Sequence, residues 1–309
     1  MDVFRDLSDV VRQQEGVLTV GTFDGVHLGH KFILQEIARR AEAKGAPATL
    51  VTFWPHPKLV LHADEHLGVL STIEEKIELL QGFDLDRLVI LEFTRAFAET
   101  SSRDFVLNIL YGKIGFSEIV IGHDHAFGKN REGDISTLEA LGREMGFAVD
   151  DLPALKVEGE VVSSTRIRNW LREGRIKDAN KLLGYNYFLT GRVVQGDGRG
   201  RQLKFPTANI EPISEHKLVP AQGVYAVYVD CDGERWPGMM NIGVRPTFGA
   251  KRPVIEVHII NFDKSIYGEL IRIEFVDRIR NEIQFASADE LVEQLNSDLE
   301  ASRSILSLT

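Results

Sequence analysis

One change of pattern, near residue 184, constrains the fold more than any other feature of the chain. Before it, short unbroken apolar runs alternate with amphipathic stretches; after it, glycine-punctuated strand-like segments follow one another. The runs at residues 17–20, 48–53, 88–91 and 119–121 lack a two-residue alternation, as do strands covered by helices on both faces. Between them, Ile33, Ile37 and Ala41 fall four apart, and Gln35, Glu36, Arg39 and Arg40 are expected to face outward. Ser71-Thr72-Ile73-Glu74 has the spacing of a capping box and leads into Ile77 and Leu80. Strands alternating with helices, without hairpin turns, predict a doubly wound α/β domain.

From Thr190 onward the segments at 225–229, 254–260 and 269–276 read as strands. The last is clearest, because Leu270, Arg272 and Glu274 alternate with Ile271, Ile273 and Phe275. Several strands without intervening helices predict an antiparallel β-barrel. Ser287-Ala288-Asp289-Glu290 offers a second capping box, and Leu291, Leu295 and Leu299 give one apolar stripe on a closing helix. The boundary is expected at Leu183-Gly184-Tyr185, giving domains 1–184 and 185–309, with Arg166 to Leu182 a candidate for packing on the barrel. A length of 309 residues suits two domains at about 150 residues each.

Composition narrows the partners. With 36 basic against 46 acidic residues the net charge is −10, which argues against general nucleic-acid binding and requires local positive sites for anionic substrates. No apolar run approaches the roughly 18 residues that span a bilayer, and the acidic, alternating Met1-Asp2-Val3-Phe4-Arg5-Asp6 lacks a signal-peptide layout. The single cysteine, Cys231, cannot pair within the chain, which fits a reducing compartment. A soluble, cytoplasmic protein with no membrane partner is expected.

The richest segment for chemistry is Gly21-Thr22-Phe23-Asp24-Gly25-Val26-His27-Leu28-Gly29-His30. It follows the first strand directly and opens a helix. Free backbone N–H groups at such a turn make an anion site, two histidines three apart can donate to phosphate oxygens, and Gly29 allows close approach. The same residues also read as a helix cap with incidental histidines. A zinc pair completed by His56, His123 or His125 is a third reading, less well matched by the glycines.

The decapeptide resembles the nucleotidyltransferase superfamily marked by His-x-Gly-His. Ser163-Ser164-Thr165-Arg166-Ile167-Arg168 resembles that superfamily's later phosphate motif, hydroxyls and arginines at a helix start. Phe53-Trp54-Pro55-His56-Pro57 and Gly122-His123-Asp124-His125-Ala126-Phe127-Gly128 resemble segments of the adenylyltransferase half of the bacterial bifunctional riboflavin kinase/FAD synthetase family. His125 and Ala126 stand where that family usually has an aromatic and an arginine. In the second half, Gly196-Asp197-Gly198-Arg199-Gly200-Arg201, Phe205-Pro206-Thr207-Ala208-Asn209, Asn241-Ile242-Gly243-Val244-Arg245-Pro246-Thr247-Phe248-Gly249 and Glu256 resemble the family's riboflavin kinase module, with Lys204 in place of an expected glycine.

The resemblance covers nearly the whole chain and implies a Rossmann-like nucleotidyltransferase domain followed by a kinase barrel with a C-terminal helix. It implies riboflavin, FMN and ATP as small-molecule substrates, and Mg²⁺ held by Thr207 and Asn209. In the adenylyltransferase half, Gly21, Phe23, Asp24, Gly25, His27, Gly29, His30, Ser164, Thr165 and Arg168 would bind ATP, and Pro55, His56, Asp124 and Phe127 the flavin. In the kinase half, Gly196, Gly198, Gly200, Thr207 and Asn209 would bind ATP. Glu256 would be the catalytic base, with His27 and His30 catalytic in the other half. Two rivals are a different adenylyltransferase with an unrelated barrel and a flavin carrier with inactive sites. The first leaves Thr207, Asn209 and Glu256 unexplained, and the second conflicts with the presence of every candidate catalytic residue.

Overall fold

A computed structural model of the chain describes residues 1–61, 67–123, 126–196, 205–244 and 253–307. The chain divides into two compact units, Met1–Ser163 and Ser164–Thr309.

The first unit is built on six strands: β1 (Asp2–Phe4), β2 (Val17–Val20), β3 (Ala48–Trp54), β4 (Arg87–Glu92), β5 (Glu118–Gly122) and β6 (Ala148–Leu152). They form one parallel sheet in the order β1-β4-β3-β2-β5-β6. The chain winds outward from β2 in one direction through β3 and β4, then returns to β2's other side as β5. This reversal makes the crevice beyond the carboxyl ends of β2 and β5 the expected ligand site of an open α/β sheet. Successive residues of one strand feed opposite cores. Leu18, Ile119 and Ile121 join one apolar cluster, Val17 and Val120 the other, which is why these runs carry no alternation.

Several local expectations shift. The helix α1 (Leu28–Lys44) buries Leu34, Ile37 and Ala41, whereas Ile33 is only partly buried. Glu36 and Arg40 do not simply face water. Arg40 bridges Glu36, Glu118 and Asp150 at 2.7, 2.6 and 2.5 Å, and Lys44 also pairs with Glu118. The first capping box moves one residue along. Thr72 caps the helix Ile73–Leu80 and exchanges hydrogen bonds with Glu75, freeing Ser71 for a different task. A hairpin also occurs in this unit, pairing Lys156–Val157 with Glu160–Val161 through Glu158 and Gly159, both at positive φ.

The second unit closes six antiparallel strands into a barrel: β9 (Phe188–Val194), β10 (Ala208–Pro212), β11 (Gly223–Cys231), β12 (Glu234–Val244), β13 (Pro253–Ile259) and β14 (Leu270–Arg280), in the order β10-β13-β12-β11-β14-β9 (β7 and β8 being the hairpin strands above). Ile271, Ile273 and Phe275 are buried, as their alternation predicts. The helices Ser164–Glu173 and Ile176–Leu183 belong to this unit. Asn180 donates to the Phe275 carbonyl and accepts from the Tyr187 N–H, both at 2.8 Å, and Lys177 pairs with Asp277. Ser287 caps the closing helix Ala288–Ile305, but Glu290 accepts from the Ala286 N–H, so the box is only half formed. Leu291, Leu295 and Leu299 are half-buried. The deeply buried positions are Asp298 and Ser302, which anchor the helix through Arg280 and the Gly238 carbonyl. Among the described residues no helix is long and apolar enough to cross a membrane.

Two candidate active sites

The first site is the turn between β2 and α1. Phe23 (φ 45°), Gly25 (φ 81°) and Val26 (φ 36°) wind it left-handed. For Phe23 and Val26, and above all for the β-branched Val26, this is strained backbone of order 1–3 kcal/mol each, which surrounding contacts must offset. The contacts are in place. The Asp24 carboxylate, 1% exposed, accepts from the N–H groups of Leu70 and Ser71 at 3.0 Å, and the Ser71 hydroxyl accepts from the Gly25 N–H at 3.1 Å. Asp24 therefore braces the turn. His27 closes it as the cap of α1, its Nδ1 accepting from the His30 N–H at 3.3 Å. That bond assigns the neutral imidazole's proton to Nε2, making Nε2 the donor. The His27 and His30 rings stack at 3.6 Å and 12°, with Phe23 4.6 Å from His30. A Cβ on Gly29 would stand 3.3 Å from the His27 ring, so the bareness of Gly29 serves that ring's packing. A rigid strand-turn-helix junction with two ordered imidazoles at the sheet's reversal point suits binding of phosphate oxygens.

Beside it, β3 ends in a cis Trp54–Pro55 bond, and His56, 8% exposed, accepts through Nδ1 from the Lys58 N–H. Phe53, Phe93, Phe97, Phe105 and Phe127 form a chain of ring contacts with centroids 5.6 to 6.3 Å apart. His123 is largely exposed, 4.0 Å from Asp151.

The second site lies on the barrel. Strand register places Asn209 of β10 opposite Glu256 of β13, and Glu256 opposite Asn241 of β12. Directly opposed residues share a face with Cβ atoms about 4.5–5.5 Å apart, so the three side chains form one polar row. Ile255 and Val257 are buried, and alternation turns Glu256 to the other, half-exposed face. The Gly196 backbone lies against the Asn209 amide so closely that a Cβ would overlap it. Phe205 packs edge-on against His258, whose Nδ1–H donates to the Pro206 carbonyl at 2.8 Å, fixing the approach to Thr207. Next to Thr207 a cleft of about 160 Å³ is lined by Val193, Ala208, Phe262, Lys264 and Tyr267.

Comparison with known proteins follows the same division. The family model for FAD synthetase matches residues 10–166, and that for riboflavin kinase matches residues 183–306. Relatives called bifunctional riboflavin kinase/FMN adenylyltransferase match over nearly full length. The Haemophilus influenzae protein is 34% identical, covering 98% of each chain. The Escherichia coli K12 protein is 36% identical over 96% of this chain and 95% of its own. The Bacillus subtilis protein is 37% identical over 93% and 91%. The chain belongs to the bifunctional riboflavin kinase/FMN adenylyltransferase family. The crystal structure of a protein from Streptococcus pneumoniae called a macrolide-efflux protein superposes with a TM-score of 0.88 at 31% identity, over 98% of both chains. That likeness carries the architecture, while the family models and full-length relatives carry the family.

Within this chain, Gly21, Phe23, Asp24, Gly25, His27, Gly29 and His30 come together in one turn. Pro55, His56 and Phe127 lie in the same unit. Ser164 and Thr165 open the helix Ser164–Glu173, on which Arg168 is 5% exposed; all three belong to the second unit. Gly196, Asn209 and Glu256 assemble on the barrel, with Thr207 two residues before Asn209. Asp124, His125, Gly198, Gly200 and Lys204 lie outside the described residues. The sequence reading quoted Asn241 only as part of a kinase-type segment, without its place beside Glu256, and missed the phenylalanine cluster and Lys76, buried beneath the first turn. Lys76 had a visible signal, because Ile73, Lys76 and Leu80 share the buried face of one helix.

Proposed function

We propose that the two sites carry the two successive reactions of flavin cofactor synthesis. On the barrel, the Glu256 carboxylate takes the proton of riboflavin's terminal ribityl hydroxyl as that oxygen bonds to the γ-phosphorus of ATP. The bond from γ-phosphorus to the β-bridging oxygen breaks, releasing ADP and FMN. At the α/β turn, a phosphate oxygen of FMN attacks the α-phosphorus of a second ATP, giving FAD and pyrophosphate. His27 and His30 donate to the charge that develops there. Pro55, His56, Asp124 and Phe127 form the flavin side of that site, a role supported by the neighbouring phenylalanine cluster. The barrel cleft beside Thr207 takes the adenine end of the kinase ATP, while Gly196, Gly198 and Gly200 approach its phosphates.

The register row Asn209–Glu256–Asn241 is the observation that carries the kinase assignment, since it sets a carboxylate beside the amide proposed to meet magnesium and nucleotide. Thr207 and Asn209 offer a hydroxyl and an amide oxygen, hard donors that fit Mg²⁺. Mg²⁺ would neutralise phosphate charge. No group of three or more His, Cys, Asp or Glu that could hold a metal occurs among the described residues. We assign FMN adenylylation to residues 1–184 and riboflavin phosphorylation to residues 185–309, a functional boundary inside the second compact unit, and a cytoplasmic location is supported by the single cysteine, Cys231.

The test assays each half-reaction chromatographically on each of two variants, folding being checked by circular dichroism. Glu256→Gln is expected to slow FMN formation by about 10²–10⁴-fold, leaving supplied FMN convertible to FAD. Replacing His27 and His30 with alanine is expected to cost at least about 10²–10³-fold in FAD formation while FMN accumulates. A well-folded variant that loses both activities equally would refute the two-site assignment.

A further inference from the structure

Beneath the β2–α1 turn sits a charge that the proposed chemistry does not use. Lys76 is 3% exposed, on the helix Ile73–Leu80. Its ammonium donates to the Thr22 carbonyl at 2.7 Å and to Thr52 Oγ1 at 3.2 Å, while the Thr52 hydroxyl donates to the same carbonyl at 3.1 Å. Thr22 is the last residue before the left-handed Phe23. The same loop-and-helix segment therefore grips the turn twice, at Asp24 through Leu70 and Ser71, and at Thr22 through Lys76. The Thr52 hydroxyl alone would satisfy the carbonyl. Burying an ammonium costs several kcal/mol unless charge and hydrogen bonds compensate, so a lysine here indicates a use for the charge as well as the bond.

We propose that Lys76 is a positioning residue for adenylyl transfer, its protonated form balancing buried Asp24 and holding the turn in the shape that presents His27 and His30 to phosphate. This rests on the reading of that turn as the phosphate site. Burial pushes the Lys76 ammonium down to about 8, opposed by Asp24. The raised-pH limb follows directly: the charge is present below pH 8 and lost as pH rises through it. The other titratable groups around the turn are Asp24 and His27 on it, His30 and Lys31 on α1, and Glu75 on the lysine's own helix. Lys31 is also lowered by burial, which makes substitution at position 76 the deciding step.

The experiment measures kcat and KM for ATP in adenylylation of supplied FMN, from pH 6.5 to 9.5, on the full chain and on Lys76→Met, Lys76→Arg and His30→Ala. Circular dichroism and thermal melting of the full chain report whether each remains folded, because the barrel unit would phosphorylate riboflavin even with the α/β unit unfolded. Lys76→Met is expected to lose about 100-fold in kcat/KM for ATP, the scale of a misplacement of about 1 Å, and to lose the fall in rate above pH 8. Lys76→Arg is expected to retain activity and to carry it unchanged past pH 9. Lys76→Met within threefold of the parent, or with the alkaline fall intact, overturns the role of Lys76. An active His30→Ala would instead overturn the reading of the turn itself.

Discussion

Truncating Asp298 to alanine is expected to destabilise the barrel and leave the α/β unit untouched. The carboxylate is 1% exposed and receives three hydrogen bonds from the Arg280 guanidinium, at 2.7, 2.9 and 3.1 Å, plus one from Gln294 at 2.9 Å. Removing one partner of a buried ion pair costs about 3–5 kcal/mol, chiefly because the other charge stays buried and unpaired. Arg280 is 19% exposed and keeps a bond to the Asn281 carbonyl, so the lower end, about 3 kcal/mol, applies. For a unit of this size each kcal/mol moves the melting temperature by about 2–4 °C, giving a fall of about 10 °C. The assay is heat inactivation of each half-reaction on the same chain. The riboflavin phosphorylation midpoint should drop by about that amount while the FMN adenylylation midpoint holds. Asp298→Leu combined with Arg280→Met, which exchanges the pair for apolar side chains, should recover most of the loss. A fall of under about 2 °C for Asp298→Ala, or a double variant no better than the single, would refute the reasoning.

Two further outcomes follow from the barrel's contacts. Gly196→Ala forces a methyl into the Asn209 amide, so riboflavin phosphorylation should fall at least about 10-fold with FMN adenylylation unchanged, read by the same paired assays. A fragment of residues 164–309 should phosphorylate riboflavin and melt above one of residues 185–309 by circular dichroism, because the shorter one lacks Lys177 and Asn180, which bind β14; equal melting would show that the two helices contribute nothing.

What the sequence disclosed about the fold was whatever depends on neighbours in the chain. The four central parallel strands and the alternation of β14 are local patterns, and each was legible. β6 was not, because its Ala-Val-Asp-Asp-Leu sits at the sheet edge and carries two carboxylates, one of them bound to Arg40 across 110 residues. The closing helix was legible as a helix but misjudged in its docking. Half-buried leucines flank two polar anchors, Asp298 and Ser302, whose partners lie 18 and 64 residues away.

The candidate sites divide along the same line. The His27–His30 turn was visible because strand, glycines and helix cap are contiguous. Glu256 alone reads as a solvent-facing strand residue; the family resemblance named it as the base, and register adds Asn209 and Asn241 on either side. Lys76 is the intermediate case. Its place on the apolar face of an eight-residue helix is a local anomaly, a charge where the pattern asks for a hydrophobe. Its meaning is not local, since Thr22 and Thr52 lie 54 and 24 residues upstream and meet it only once β2 and β3 are paired. A charged residue at a core position thus marks where to look, and the sheet's parallel register then decides what it holds: the carbonyl from which a strained phosphate turn departs.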